Sequence, residues 1–134
     1  MKVAFLGTGL MGGPMVKNLA SAGYEITAWN RTSSKAEFLL QFGVDVKGLA
    51  ADAVKNADVV VSMLSNGDAS AEMQGDKDLQ TSLSSNATWI EMGSIKPDES
   101  RLHSKKLAAL GVNYLDAPVS GGTKGAENGM LAIM

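Results

Sequence analysis

The sequence predicts an α/β fold, a doubly wound and mostly parallel sheet with helices on both faces. Three observations predict it. Strand-length apolar runs alternate with helix-length segments along the whole chain. The first run, Lys2 to Leu6, is apolar at successive positions, as a strand buried on both faces requires. That run ends in a glycine-rich turn, Gly7 to Gly12, which opens the first helix.

The elements follow in order. Leu10 to Ala22 carries apolar residues at Met11, Met15, Leu19 and Ala22, a helical repeat that Gly23 stops. Pro14 belongs near its first turn, where a missing N–H costs least. Tyr24 to Trp29 alternates as a second strand. Ser33 to Gln41 is a helix ending at Gly43, and Val44 to Val46 is a weak third strand. Leu49 to Asn56 is a short helix, and Asp58 to Leu64 a strong fourth strand. Asn66 to Asn86, rich in Gly, Ser and Asp, is expected to be loop-rich surface with one short helix, Asp68 to Met73. Thr88 to Met92 is the fifth strand. Pro97 to Leu110 is a helix with Pro at its first position and Asp98 and Glu99 at its positive end. Gly111 caps it, Val112 to Leu115 is a sixth strand, and Gly129 to Met134 begins a seventh.

Composition narrows the function classes. The 134 residues are expected to form one domain, residues 1–134. With no Cys there is no disulfide framework and no thiolate metal site. The single His, His103, lies mid-helix beside Ser104, Lys105 and Lys106 and is expected at the surface, so no metal site is expected. Twelve basic against fourteen acidic residues give a net charge of −2, without the basic excess that nucleic acid demands. No apolar run reaches the length of a membrane span, and the opening apolar stretch breaks too early for a signal peptide. A soluble, cytoplasmic protein is expected.

The turn Gly7-Thr8-Gly9-Leu10-Met11-Gly12 is a GxGxxG placed between a strand and a helix. In a Rossmann-type unit, Gly7 allows the tight turn, Gly9 lets the backbone approach a pyrophosphate, and Gly12 lets helix and strand pack closely. The N–H groups near Leu10 and Met11 then face the anion from the helix's positive end. The alternative is a glycine turn packed tightly for its own sake.

At the end of the second strand, an NAD site usually carries Asp or Glu for the ribose 2′-OH. Here the residues are Asn30-Arg31-Thr32-Ser33. Arg31 can pair bidentately with a 2′-phosphate and stack on adenine, while Thr32 and Ser33 add hydroxyls. NADP is therefore the expected cofactor, with NAD weaker. Alternatively, Asn30 and Ser33 cap the next helix and Arg31 is merely solvated.

Ligands of a doubly wound sheet gather outside the carboxyl ends of its strands. Met63-Leu64-Ser65-Asn66, Gly93-Ser94-Ile95 and the segment Asp116 to Ala126 lie at such ends. Ser120, Gly121 and Gly122 form a flexible turn whose N–H groups suit a substrate carboxylate, or else a loop with helix-capping hydroxyls. Lys124 is expected to be a solvated charge. Trp29 and Trp89 are expected in the core or at its rim.

Together, Gly7 to Met15, Asn30 to Thr32, Met63 to Asn66, Met92 to Ile95 and Asp116 to Ala126 resemble the β-hydroxyacid dehydrogenase family. Its members include 3-hydroxyisobutyrate dehydrogenases, tartronate semialdehyde (2-hydroxy-3-oxopropionate) reductases and glyoxylate/succinic semialdehyde reductases. The resemblance covers the chain in order. It implies an NADP-binding Rossmann domain, with Leu10, Met11, Asn30, Arg31, Leu64 and Ser94 along the cofactor. It also implies a small carboxylate-bearing substrate at Ser120, Gly121 and Gly122. Thr8 stands where the family often has an apolar residue, and Gly93 where it often has Ser.

The family's general acid is a Lys in a GxxGxGxxxKxxxN-type motif on a long interdomain helix, followed by a C-terminal helical domain. No residue of this chain matches that motif, so no catalytic residue is expected within it. The resemblance therefore implies the cofactor domain of an NADP-linked oxidoreductase, without that helical domain and inactive alone. The parent is expected to be a homo-oligomer, and the isolated domain to associate through exposed apolar surface. An imine reductase, a 6-phosphogluconate dehydrogenase relative and a nucleotide-binding module without chemistry are the alternatives.

Overall fold

The computed structural model describes residues 1–134. Its main sheet has six parallel strands: β1 (Lys2–Leu6), β2 (Glu25–Trp29), β3 (Asp45–Val46), β4 (Val59–Ser62), β5 (Thr88–Glu91) and β6 (Asn113–Asp116). Their order across the sheet is β3-β2-β1-β4-β5-β6. The chain therefore builds one half outward from β1, crosses back, and builds the other half outward from β4. The point of reversal, between β1 and β4, opens a crevice at the strands' carboxyl ends.

Side-chain alternation in β1 explains its unbroken apolar run. Val3 and Phe5 enter one core, with Val16 of α1 (Gly12–Ser21), Ile26, Ala28 and Leu39. Ala4 and Leu6 enter the other, with Ala53 and Val54 of α2 (Ala50–Val54) and Val60. The second core also takes Leu79 of α4 (Lys77–Ser82), Trp89, and Leu107 of α5 (Pro97–Ala108). A strand with helices on both sides has no solvated face to carry polar residues.

Four expectations are corrected. Ser33 to Gln41 is not an α-helix but two 3₁₀ segments, Ser33–Lys35 and Glu37–Phe42, broken at the buried Ala36. The break lets Leu39 enter the core while the Phe38 ring lies over Gly13. The stretch expected to be loop-rich holds two helices: the expected short one, longer than expected, as α3 (Gly67–Gly75), and an unexpected second one, α4. Each is capped by a side chain: the Ala69 N–H donates to Asn66 Oδ1 at 2.9 Å, and the Leu79 N–H to Asp76 Oδ1 at 2.9 Å. Helix α3 buries Gly67, Ser70 and Gln74, so its inner face carries no apolar stripe to read.

The expected seventh strand does not extend the parallel sheet. Ala132–Ile133 (β8) pairs antiparallel with Val119–Ser120 (β7), and Gly122–Asn128 (α6) runs between them. Finally, His103 is not at the surface. It is 1% exposed on the inner face of α5 with Ser100 and Leu107. Its spacing from those two residues is helical, but the lysines beside it obscured the pattern. As expected, Trp89 is buried, and Trp29 lies half-buried at the core's edge. No helix is long and apolar enough to cross a membrane.

Burial lowers the pKa of His103 below the usual 6.5, with Glu99 raising it and Lys106 lowering it. The fold thus disfavours the imidazolium. This contribution to stability is fully present above pH 6.5 and is lost as pH falls through the lowered value. Thermal melts from about pH 8 to about pH 5 should show that decline in the parent and a flatter curve in His103→Gln. Parallel curves would show that His103 does not titrate within the fold.

Candidate functional site

The site begins where β1 ends. Gly7 adopts φ +103°, open to glycine at little cost, and its N–H donates to the Trp29 carbonyl at 2.9 Å. A Cβ at Gly7 would collide with the Met63 carbonyl, and one at Gly12 with the Gly7 carbonyl. The loop is therefore folded against β4 and against the start of α1, leaving no room for a side chain. Gly9 differs: a Cβ there would meet nothing within 4 Å.

The loop's amides are divided. The Thr8 N–H donates to Asn30 Oδ1 at 2.9 Å, and Asn30 Nδ2 donates to the Thr32 carbonyl at 3.0 Å. Asn30 thus ties the end of β2 to the glycine loop and does not cap the next segment. Thr32 takes the cap position without a side-chain hydrogen bond. The N–H groups of Gly9, Leu10 and Met11, by contrast, donate to no group of the protein. They stand at the entry to α1, where the helix dipole favours an anion.

These groups border a cleft of about 840 Å³. Gly7, Gly9, Leu10, Met11 and Gly12 lie on it, as do Asn30, Arg31 and Thr32, then Met63, Leu64, Ser65 and Ser94. The structure thus brings together most of the residues singled out on the first, second, fourth and fifth strand ends, but not Thr8, Ser33, Asn66 or Ile95, which do not line the cleft. Arg31 is exposed and in no ion pair, so its guanidinium is available to a ligand.

Sequence reasoning missed further residues on this cleft. Lys35 adds a second cation beside Arg31, carried there by the 3₁₀ turn after β2. Its signal was its place four residues after Arg31. Trp29, Gly48 to Ala51, Ala69, Met73 and the acidic Glu72, Asp76 and Asp78 also line the cleft. Ala69, Glu72 and Met73 lie on α3, whose inner face had no apolar signature.

Ser120, Gly121 and Gly122 are exposed and lie outside this cleft. Gly121 has φ +137° and Gly122 φ +64°, where β7 turns into α6. The Gly121 N–H donates to no group of the protein. Lys124 is exposed on α6, as expected.

Comparisons with known proteins give the family and agree with the fold. The family model described as the NAD binding domain of 6-phosphogluconate dehydrogenase matches residues 2–134. Glyoxylate/succinic semialdehyde reductase 2, chloroplastic, of Arabidopsis thaliana is 33% identical over 135 residues, covering 100% of this chain and 38% of that protein. The NAD-dependent L-serine dehydrogenase of Pseudomonas aeruginosa is 37% identical over 137 residues, covering 99% of this chain and 45% of its own. Among solved structures, Mycobacterium tuberculosis 3-hydroxyisobutyrate dehydrogenase with L-serine superposes with a TM-score of 0.94 at 34% identity. That match covers 99% of this chain and 45% of the other. The chain spans less than half the length of these relatives.

Proposed function

The chain belongs to the family of the NAD-binding domain of 6-phosphogluconate dehydrogenase, and from that membership we propose that it is the NADP-binding part of a hydroxyacid oxidoreductase. The observation that carries the reading is the trio of unpartnered N–H groups at Gly9, Leu10 and Met11, beside a position with open space for a ligand. Unsatisfied donors at a helix entry fit a pyrophosphate. Gly7 and Gly12 shape that cradle and Asn30 holds it. Arg31, Thr32 and Lys35 take the adenosine ribose and its 2′-phosphate. Met63, Leu64, Ser65 and Ser94 receive the nicotinamide half, on the other side of the glycine loop.

The bound cofactor supplies hydride, exchanged with a small β-hydroxyacid or semialdehyde acid of the 3-hydroxyisobutyrate, tartronate semialdehyde, glyoxylate or succinic semialdehyde type. Ser120, Gly121 and Gly122 hold the substrate's carboxylate, and the free Gly121 N–H supports that role. The cleft's two cations, Arg31 and Lys35, both lie on the β2 side, away from Ser94. No residue of the chain matches the family's catalytic lysine motif, so the chain alone binds cofactor without turnover. Exposed Leu115, Met130, Ile133 and Met134 form the surface through which copies of it associate.

The test is a fluorescence titration with NADPH and NADH, followed by an assay with glyoxylate and succinic semialdehyde. NADPH should bind at least about tenfold more tightly than NADH, with no turnover. Failure to bind either nucleotide would overturn the reading. Equal affinities would remove the NADP preference, which rests on Arg31 and Lys35.

A further inference from the structure

Glu91 ends β5 and is 0% exposed. None of the chain's ion pairs includes it. A buried carboxylate without a cation is costly to keep, so its hydrogen bonds need a reason. Ser70 Oγ, on α3, donates to Glu91 Oε2 at 2.9 Å. The Gly93 N–H, in the turn after β5, donates to Glu91 Oε1 at 3.3 Å. On the sheet, Ser62 is its register partner, and Trp89 lies two residues before it on the same face. The Ser62 hydroxyl and the Trp89 indole N–H are both buried without a hydrogen-bond partner of their own.

The turn is seated tightly on this carboxylate. A Cβ at Gly93 would lie 3.1 Å from Glu91 Oε1 and 3.0 Å from the Leu64 carbonyl. Gly93 and Ser94 line the cleft on one side of the carboxylate, and Ala69, next to Ser70, lines it on the other. The buried group thus touches the backing of two walls without itself reaching the cleft.

We propose that Glu91 is a positioning residue: its carboxylate, anchored on α3 by Ser70, holds the Gly93–Ser94 turn at the spacing that the nicotinamide half of the cofactor requires. The proposal rests on the cofactor reading above. The strand order supports the choice of half. The β5 turn and the β2 residues Arg31 and Lys35 lie on opposite sides of the glycine loop. Burial holds the Glu91 carboxyl above its ordinary range even though the hydrogen bonds from Ser70 and Gly93 favour the charged form. A group kept at that cost, away from solvent and at the rear of a ligand wall, has a positional use.

The experiment compares NADPH with adenosine 2′,5′-bisphosphate, which carries only the adenosine half. Glu91→Met keeps the length of the side chain and removes both acceptors. It should weaken NADPH binding about tenfold and the bisphosphate by less than about twofold. Glu91→Gln, which keeps one acceptor oxygen, should recover most of the loss. If Glu91→Met does not fold, Ser70→Ala removes the α3 anchor and should weaken NADPH alone, by about threefold. Equal losses for both ligands would mark a merely structural residue and overturn the proposal, as would unchanged NADPH affinity. If the parent binds neither ligand, the cofactor reading falls instead, before any variant is made.

Discussion

Alanine at Gly9 should leave the fold intact and weaken NADPH binding about a hundredfold, whereas alanine at Gly12 should damage the fold itself. The two glycines stand three residues apart in one motif, yet they have different physical reasons. At Gly9 a methyl group meets no protein atom within 4 Å. Its only victim is a ligand seated on the N–H groups of Gly9, Leu10 and Met11, which it holds away from their hydrogen-bonding distance. At Gly12 the methyl collides with the Gly7 carbonyl, backbone against backbone, and the Phe5 ring closes the other side at 3.2 Å. Neither α1 nor β1 can yield without disturbing the core around Phe5 and Val16. The cost is about 3 kcal/mol, the upper part of the range for overpacking. It outweighs the helix-propensity gain of about 1 kcal/mol that alanine brings. Thermal melts and NADPH titrations of both variants check the contrast. Parental affinity in Gly9→Ala would show that no anion lies over that amide.

Arg31→Ala should weaken NADPH binding about 10- to 100-fold and leave NADH within about twofold. The guanidinium pays nothing to break an existing bond, since it is in no ion pair and is solvated. Charge-assisted hydrogen bonds to a phosphate are worth about 1.5–3 kcal/mol, and only the 2′-phosphorylated cofactor offers that group. Lys35→Ala should act in the same direction more weakly, because an ammonium cannot make the bidentate contact. Arg31→Lys should not restore the parent for the same reason. Loss of NADPH and NADH affinity in equal measure would place Arg31 on the adenine or the pyrophosphate and remove the basis for the NADP preference.

Much of this was legible in the sequence. The apolar run Lys2 to Leu6, the glycine spacing after it and the alternation of elements are local patterns that led to β1, its turn and most of the elements, the 3₁₀ segments after β2 and the antiparallel pair at Val119–Ser120 and Ala132–Ile133 excepted. The residues of the cleft at the ends of β1, β2, β4 and β5 were legible because a parallel sheet must bring all its carboxyl ends to one edge. Legibility failed where a helix had no apolar stripe. Helix α3 packs through Gly67, Ser70 and Gln74, so the sequence marked only its middle, Asp68 to Met73, and α4 after it was taken for loop although Asp76 supplied its cap. His103 was hidden by its lysine neighbours, because side-chain direction on a helix follows the i, i+3, i+4 spacing and not adjacency.

The sequence by itself determined the class of fold, the cradle at Gly7 to Gly12 and the missing acid at the end of β2. All three are written in short segments whose geometry depends on their own residues. Only the tertiary structure decided which amides are free, because Asn30, 22 positions away, takes the Thr8 N–H and leaves the next three. It alone decided that Lys35 joins Arg31. It alone placed Glu91 behind the cleft, between α3 and the β5 turn. The physical reason is common to these cases: hydrogen-bond satisfaction and steric room are set by atoms far apart in the chain, and no local pattern records them.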